Sequence, residues 1–295
     1  MVRNLITRIN HEQKIPKPWL EKQFKELKLN ESVLNLMQKP LEGKPWAAYK
    51  SMIISQTRVN NGKQFINKHQ PVLKSYEQKY KIPASVVTAI IGIETSYGRN
   101  KGNFNVLEAL STLAFYYTPR SQYFYQETVA LLTYAYKHKL DIDKIKSSYA
   151  GAIGIPQFMP SNIEKYGIKH NTKGKVNLYS NTDDAIASVF NYLKVNGQWQ
   201  PDQPVMRKVR LSDSKRKALQ EMLADTRMLK VDKKIEQLFN LRHHNQSWLI
   251  KLQQKNGDYE YFRVFHNFKA IMRYNNSVHY SSAVFQLSEK LEKFM

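Results

Sequence analysis

Apolar residues recur at helical spacing along most of the first two hundred positions. Trp19, Leu20, Phe24, Leu27 and Leu29 form one amphipathic face, and Val33, Leu34, Leu36 and Met37 form another. Pro16, Pro18, Pro40 and Pro45 punctuate this region, because proline starts or ends helices. Residues 1–80 therefore read as a run of helices with short breaks. An apolar run from Val86 to Ile93 follows Pro83, and proline is favoured at a first helical position because its missing N–H would be unpaired there. Gly98 and Gly102 break the pattern, which predicts a buried helix over residues 83–95 with Glu94 in its last turn. Asn105 is placed to cap the next helix, with Glu108 three residues on as in a capping box. Leu107, Leu110, Leu113 and Ala114 make the apolar stripe of that helix. A third helix, rich in Tyr and Phe, covers residues 119–138, and Asn181 or Thr182 caps a further one that Gly197 closes.

The period changes after Pro201. Val205, Arg207, Val209 and Leu211 alternate as in a strand, and a basic helix is expected over residues 213–225. Trp248, Ile250 and Leu252 alternate up to Asn256-Gly257, and Tyr259, Tyr261 and Val264 follow. Asn-Gly between alternating runs signals a hairpin. Residues 201–265 thus read as a small α+β insert, after which helix returns from Ser277 to Phe294. The expected class is mainly α with an α+β element. The expected pieces are a helical domain over residues 1–80, joined by the C-terminal helix 277–295; a core over 81–200, completed by 266–280; and the insert over 201–265.

Composition narrows the setting. A chain of 295 residues that is 42% hydrophobic can bury a sizeable core in one to three domains. Forty-six Lys and Arg against 24 Asp and Glu give a net charge of +22, which calls for an anionic partner or surface: nucleic acid, anionic lipid or an acidic wall polymer. The basic residues are scattered rather than gathered into a tail. The absence of cysteine excludes disulfides, thiolate metal sites and a Cys nucleophile. No stretch approaches the roughly 18 continuous apolar residues of a membrane span. Residues 1–13 lack the apolar core of a signal peptide, which leaves either the cytoplasm or a chain that starts after a removed export signal.

Two stretches invite chemistry. A carboxylate at the end of a buried helix loses water, and that raises its pKa toward what a general acid needs near neutral pH. Glu94 fits this, although a Glu reaching from a core helix to solvent fits too, and the stretch by itself favours the plainer reading. Residues 147–161, SSYAGAIGIPQFMPS, combine small residues and glycines that let backbone approach something closely. Gln157 sits there among Ile155, Phe158 and Met159. A buried amide must be hydrogen-bonded, either to the protein's own backbone or to a ligand, and the local pattern leaves both open.

Five segments in order are more specific than any one alone: IGIETSYG (91–98), LEALSTLAF (107–115), SYAGAIGIPQFMPS (148–161), DAIASVFNYL (184–193) and RYNNSVHYSSAVFQL (273–287). Together they resemble the membrane-bound lytic murein transglycosylase B family, nearly end to end. The resemblance implies a lysozyme-like core with an N-terminal helical domain and a small β-containing insert. It implies cleavage of peptidoglycan between N-acetylmuramic acid and N-acetylglucosamine, with formation of 1,6-anhydromuramic acid. Residue by residue, Glu94 matches the catalytic acid, acting as acid and then base. Ser148 and Gln157 match residues that hold the sugar and the carboxylate; Phe158 and Met159 match the cleft wall. Tyr192, Tyr274, Asn275 and Tyr280 match an aromatic and amide cluster, Arg120 matches an arginine suited to a substrate carboxylate, and Tyr97 lies in the Glu94 motif. A usual glycosidase sets two carboxylates about 5–9.5 Å apart. No second one falls in the matched motifs, since Asp183 and Asp184 read as the first turn of a helix. The family resolves this by using the substrate's own N-acetyl group.

The resemblance also sets partners and place. Peptidoglycan glycan strands are the expected partner of a monomer, with the anionic envelope surface as a further attraction and the periplasm or outer membrane as the site of work. Nucleic acid is not expected, since no helix-turn-helix, RNP-like strand or zinc spacing is visible. The alternatives are a non-catalytic peptidoglycan binder of the same fold, against which the presence of Glu94 counts, and, more remotely, a basic nucleic-acid-binding protein prompted by the charge alone. No cofactor is expected, and no metal. Members of the family can carry a calcium loop after the glutamine motif, but the matching stretch here places Lys169, Asn171 and Lys173 at the alternate ligand positions. An ammonium offers no lone pair, so a lysine paired with Asp184, or a solvated loop, is expected instead.

Overall fold

The computed structural model describes residues 2–38, 43–170, 174–244 and 246–295. The chain opens with helices α1 (Val2–Gln13), α2 (Lys17–Phe24), α3 (Glu31–Met37), α4 (Trp46–Ile53), α5 (Gln56–Tyr80) and α6 (Ala84–Thr95). A short strand β1 (Phe104–Asn105) leads into α7 (Val106–Tyr116), α8 (Ser121–His138), strand β2 (Lys146–Ser147), α9 (Pro160–Tyr166) and α10 (Thr182–Val195). Then come β3 (Met206–Val209), α11 (Asp213–Met222), β4 (Leu229–Lys230), α12 (Lys233–Phe239), β5 (Ser247–Gln253), β6 (Tyr259–Phe265), α13 (His266–Met272) and α14 (Val278–Glu292). The class is mainly α with small antiparallel sheets, as the periodicities predict. Among the described residues no helix is long and apolar enough to cross a membrane.

Contacts divide the chain into two units, Met1–Pro40 with Glu94–Val189, and Leu41–Ile93 with Phe190–Met295. In the first, α7 is the buried centre. Asn105 caps it, its Oδ1 accepting from Leu107 N at 2.9 Å and Glu108 N at 3.1 Å. Leu107, Leu110 and Leu113 are all buried, each such leucine contributing about 1.5–3 kcal/mol. Leu110→Ala would cost about 2–5 kcal/mol, because the helices around it close only partly over the void. Thr112 holds the loop before α3 through Asn30 N at 3.1 Å, and Trp19 meets the Tyr136 ring edge-on at 5.2 Å.

In the second unit α5 continues through Pro71, and the backbone leaves helical geometry two residues earlier at His69. A proline cannot donate to the carbonyl one turn back, so the ladder breaks there. Phe190 stacks on Tyr76 at 5.9 Å and Tyr80 at 6.3 Å. The four-stranded sheet runs β3-β6-β5-β4, antiparallel throughout. Its hairpin turns over residues 254–258, a longer loop than Asn-Gly alone predicts, with Gln254 N donating to Asp258 O at 2.7 Å and Gly257 at φ +87°. Leu211, Leu219, Leu223, Ile235, Phe239 and Leu249 form a core around this sheet. Ser277 caps α14 by accepting from Tyr280 N at 3.2 Å.

Candidate active site

Glu94 lies, half-buried, in the last turn of α6, whose residues 84–92 are all buried. The start of α6 is held by Glu77, whose Oε1 accepts from Ala84 N at 2.8 Å. What ends the helix is unusual: Ser96 (φ +49°), Tyr97 (φ +65°) and Gly98 (φ +83°) are left-handed in succession. Only the glycine adopts this freely, and each of the other two carries a penalty on the order of 1 kcal/mol. Thr95 holds the turn. Its hydroxyl is buried, donates to Ile155 O at 2.8 Å and accepts from Gly98 N at 2.9 Å, while Asn100 N reaches Thr95 O at 2.9 Å.

Ile155 belongs to the glycine-bearing loop. Gly151 (φ +81°) and Gly154 (φ +76°) admit no side chain: a Cβ would stand 2.2 Å from Leu110 Cδ2 and 2.5 Å from Leu178 O. Ile153 and Phe158 exchange backbone hydrogen bonds at 2.8 and 3.1 Å, closing a tight turn over residues 154–157. Gln157 sits in that turn at φ +50°, and its Nε2 donates to Gly154 O at 2.9 Å and Lys101 O at 3.3 Å. Of the two partners open to this amide, its donors take the protein's own backbone. Ser148 Oγ accepts from Ala152 N at 3.1 Å, a contact that does not use the hydroxyl proton. Phe158 is 2% exposed and packs in the core, whereas Met159 is half-buried at the entry to α9.

Arg120 is exposed, its guanidinium 4.2 Å above the Tyr123 ring. Burial pushes the Tyr123 phenol up, and the neighbouring Glu127 carboxylate adds to this against the opposing Arg120 charge. Glu127 is itself buried on α8, and both its oxygens are taken by Ser161: Oε2 by the backbone N at 3.0 Å and Oε1 by the hydroxyl at 2.7 Å. Thr95 and Glu127 were not singled out by pattern. The signal for Glu127 was there, a carboxylate on the apolar stripe of an aromatic helix.

The second unit brings the expected tyrosines together. Tyr192 donates its hydroxyl to Arg273 O at 2.5 Å and meets the Tyr274 ring edge-on at 4.9 Å. Tyr274 lies parallel to Tyr280 at 6.5 Å. Tyr192 and Tyr280 are buried, while Tyr274 and Asn275 are partly exposed. The first two therefore act as the backing against which Tyr274 stands.

A further cluster ties the loop before α10. Asp184 is fully buried; its Oδ2 accepts from Lys169 Nζ at 3.0 Å and Asn177 N at 2.9 Å, and its Oδ1 from His170 N at 3.0 Å. Asn171 and Lys173, two of the three positions weighed as calcium ligands, lie outside the described residues. Among the described residues no three His, Cys, Asp or Glu gather as a metal site. A cavity of about 440 Å³, lined in part by Arg8, Tyr125, Thr133, Tyr134 and Lys137, contains none of the expected site residues.

A mainly helical fold with a carboxylate ending a buried helix, tied to a glycine-bearing glutamine loop, defines a lysozyme-like glycan-cleaving protein. The family model described as the transglycosylase SLT domain matches residues 1–289. The chain belongs to that family, the lytic murein transglycosylases, lyases that act on peptidoglycan. It is 33% identical over 280 residues to the membrane-bound lytic murein transglycosylase B of Escherichia coli K12, covering 92% of this chain and 76% of that protein. The soluble lytic transglycosylase SltB1 of Pseudomonas aeruginosa superimposes with a TM-score of 0.89 at 32% identity, over 99% of this chain and 98% of that one. The Escherichia coli lytic transglycosylase Slt35 does so with bulgecin A bound (TM-score 0.88) and in complex with calcium (TM-score 0.87), each at 31% identity over 99% of this chain and 92% of that one.

Proposed function

We propose that Glu94 carries out both proton transfers of the transglycosylase reaction. The observation that carries this reading is the position of Glu94, half-buried at the end of α6 and next to the threonine that ties this helix to the glutamine loop. Protonated Glu94 gives its proton to the glycosidic oxygen between N-acetylmuramic acid and N-acetylglucosamine, and that bond breaks. The substrate's N-acetyl oxygen stabilises the cation at C1. The Glu94 carboxylate then takes the proton of the muramic acid 6-hydroxyl, whose oxygen closes on C1 as the anhydro ring. Water is neither consumed nor released, and Glu94 ends protonated as it began.

Around it, Ser148 and Met159 are suited to contact sugar, Gln157 to shape the loop that faces it, and Arg120 to meet a lactyl or stem-peptide carboxylate, with Tyr97 beside the acid. Tyr274 and Asn275 are suited to sugar stacking and hydrogen bonding, with Tyr192 and Tyr280 behind them; Phe158 supports from the core. The three-piece organisation expected from the sequence, a monomeric state and work at the envelope, where the +22 charge meets anionic polymer, belong to the same proposal.

Calcium is not part of it. Slt35 was solved with calcium, but here both oxygens of Asp184 are engaged by an ammonium and two amides. A calcium ion needs about six to eight oxygen ligands at roughly 2.3–2.6 Å, and Lys169 repels it. Glu94→Gln tests the catalytic reading: a folded protein without turnover supports it, and a rate near wild type removes it.

A further inference from the structure

We infer that Thr95 and Glu127 are positioning residues that clamp the glutamine loop at its two ends, and that turnover depends on this clamp. The inference rests on the reading of Glu94 as the acid. Neither residue needs to touch substrate. Thr95 is 1% exposed, follows Glu94 directly, and binds the loop at Ile155 while closing the left-handed turn at Gly98. A shift of the loop is therefore passed to the backbone that carries the carboxylate. At the other end, Glu127 is 5% exposed and grips Ser161 by both its amide and its hydroxyl.

A plain packing role does not explain either choice. Burying a carboxylate costs several kcal/mol unless donors fill its lone pairs, and an apolar residue would pack α8 against α9 without that cost. What Glu127 adds is direction: two donors on one residue fix where α9 begins, and with it Met159 two positions earlier. Thr95 adds direction in the same way, since a valine of equal shape fills its space but neither gives nor accepts. Between the clamps, Gln157 is left-handed, and its side-chain amide donates to Gly154 O and Lys101 O while its backbone N donates to Gly154 O. Misplacing a reacting group by about 1 Å can cost on the order of 100-fold in rate, so a loop fixed at both ends matters to chemistry before it matters to stability.

The test compares Thr95→Val, Thr95→Ser, Glu127→Gln and Ser161→Ala with Thr128→Val as the control. Thr128 is also buried, but its hydroxyl donates to Phe124 O at 2.8 Å within α8 and does not touch the loop. For each, kcat and KM on purified peptidoglycan and the melting temperature are measured on one preparation. The expected result is a fall in kcat of about tenfold or more for Thr95→Val and Glu127→Gln, with KM within about threefold. Ser161→Ala gives a smaller fall, Thr95→Ser regains most of the rate, and Thr128→Val keeps kcat although its melting temperature drops. The inference is overturned if Thr95→Val and Glu127→Gln keep kcat within about twofold, if Thr95→Ser is no better than Thr95→Val, or if Thr128→Val loses rate in step with its stability. If Thr95→Val does not fold, Thr95→Ala takes its place under the same kcat criterion; if Glu127→Gln does not fold, Ser161→Ala decides, and a kcat within about twofold of wild type overturns the inference. Glu94→Gln in the same series separates the two readings: its retention of turnover removes the acid, whatever the clamp variants do.

Discussion

Replacing Lys169 by methionine keeps the stem of the side chain and removes its charge from beside Asp184. The Lys169 side chain is 22% exposed and that of Asp184 is 0% exposed, so the lost ammonium leaves a buried carboxylate short of its counter-charge. Breaking a fully buried pair from one side costs about 3–5 kcal/mol. Here the amides of His170 and Asn177 remain, and partial exposure of the lysine admits water. Both reduce the cost below that range, to about 2–3 kcal/mol. At about 2–4 °C per kcal/mol, the melting temperature should fall by about 4–12 °C. The assay is a thermal scan of wild type and Lys169→Met, each with millimolar calcium, magnesium or chelator. Wild type should melt at one temperature in all three. A Lys169→Met midpoint within about 1 °C of wild type would refute the pairing, and a calcium-specific rise in wild type would refute the exclusion of the ion.

The remaining expectations are shorter. Glu94→Gln should stay folded and lose about 10²–10⁴-fold in turnover, and retention of more than about a tenth of the rate would sink the assignment. Asn275→Ala should slow turnover with an unchanged melting temperature, whereas Gln157→Ala should lower both, because its amide also holds Gly154 O and Lys101 O. In the insert, the hydrogen bond from His243, with help from His244 N and Arg263, holds the Glu236 carboxyl below its usual range. A depressed folded pKa stabilises above the unfolded value near about 4.3 and is lost as pH falls through the folded value. Glu236→Gln should therefore flatten the acid limb of stability against pH; an unchanged limb would remove Glu236 as its source.

The order of elements was readable because periodicity and caps agree. Asn105, Asn181 and Ser277 each accept from amides one turn on, as their side chains predict. Helices α12 and α13 escaped because each is only seven residues, too short for a 3.6-residue period to stand out. Pro71 was not among the prolines that punctuate the pattern, and α5 runs through it with a kink at His69. In the site, Glu94 at a helix end was legible from an apolar run and a glycine stop. The clamp was not, because a threonine hydroxyl aimed at Ile155 O and a glutamate at Ser161 join positions 60 and 34 residues apart. Nor did pattern reveal that Phe158 and Tyr280 face the core, since aromatic residues suit both a sugar face and packing.

The most direct test of the central claim is the mass of what wild-type protein releases from purified peptidoglycan. Ring closure by the 6-hydroxyl predicts muropeptides ending in anhydromuramic acid, each lighter by one water than its hydrolysed counterpart and without a reducing end. Products that carry the added water and can be reduced with borohydride would mean that water, not the sugar's own hydroxyl, completes the reaction, and would contradict the assignment of Glu94 as acid and then base in a transglycosylation.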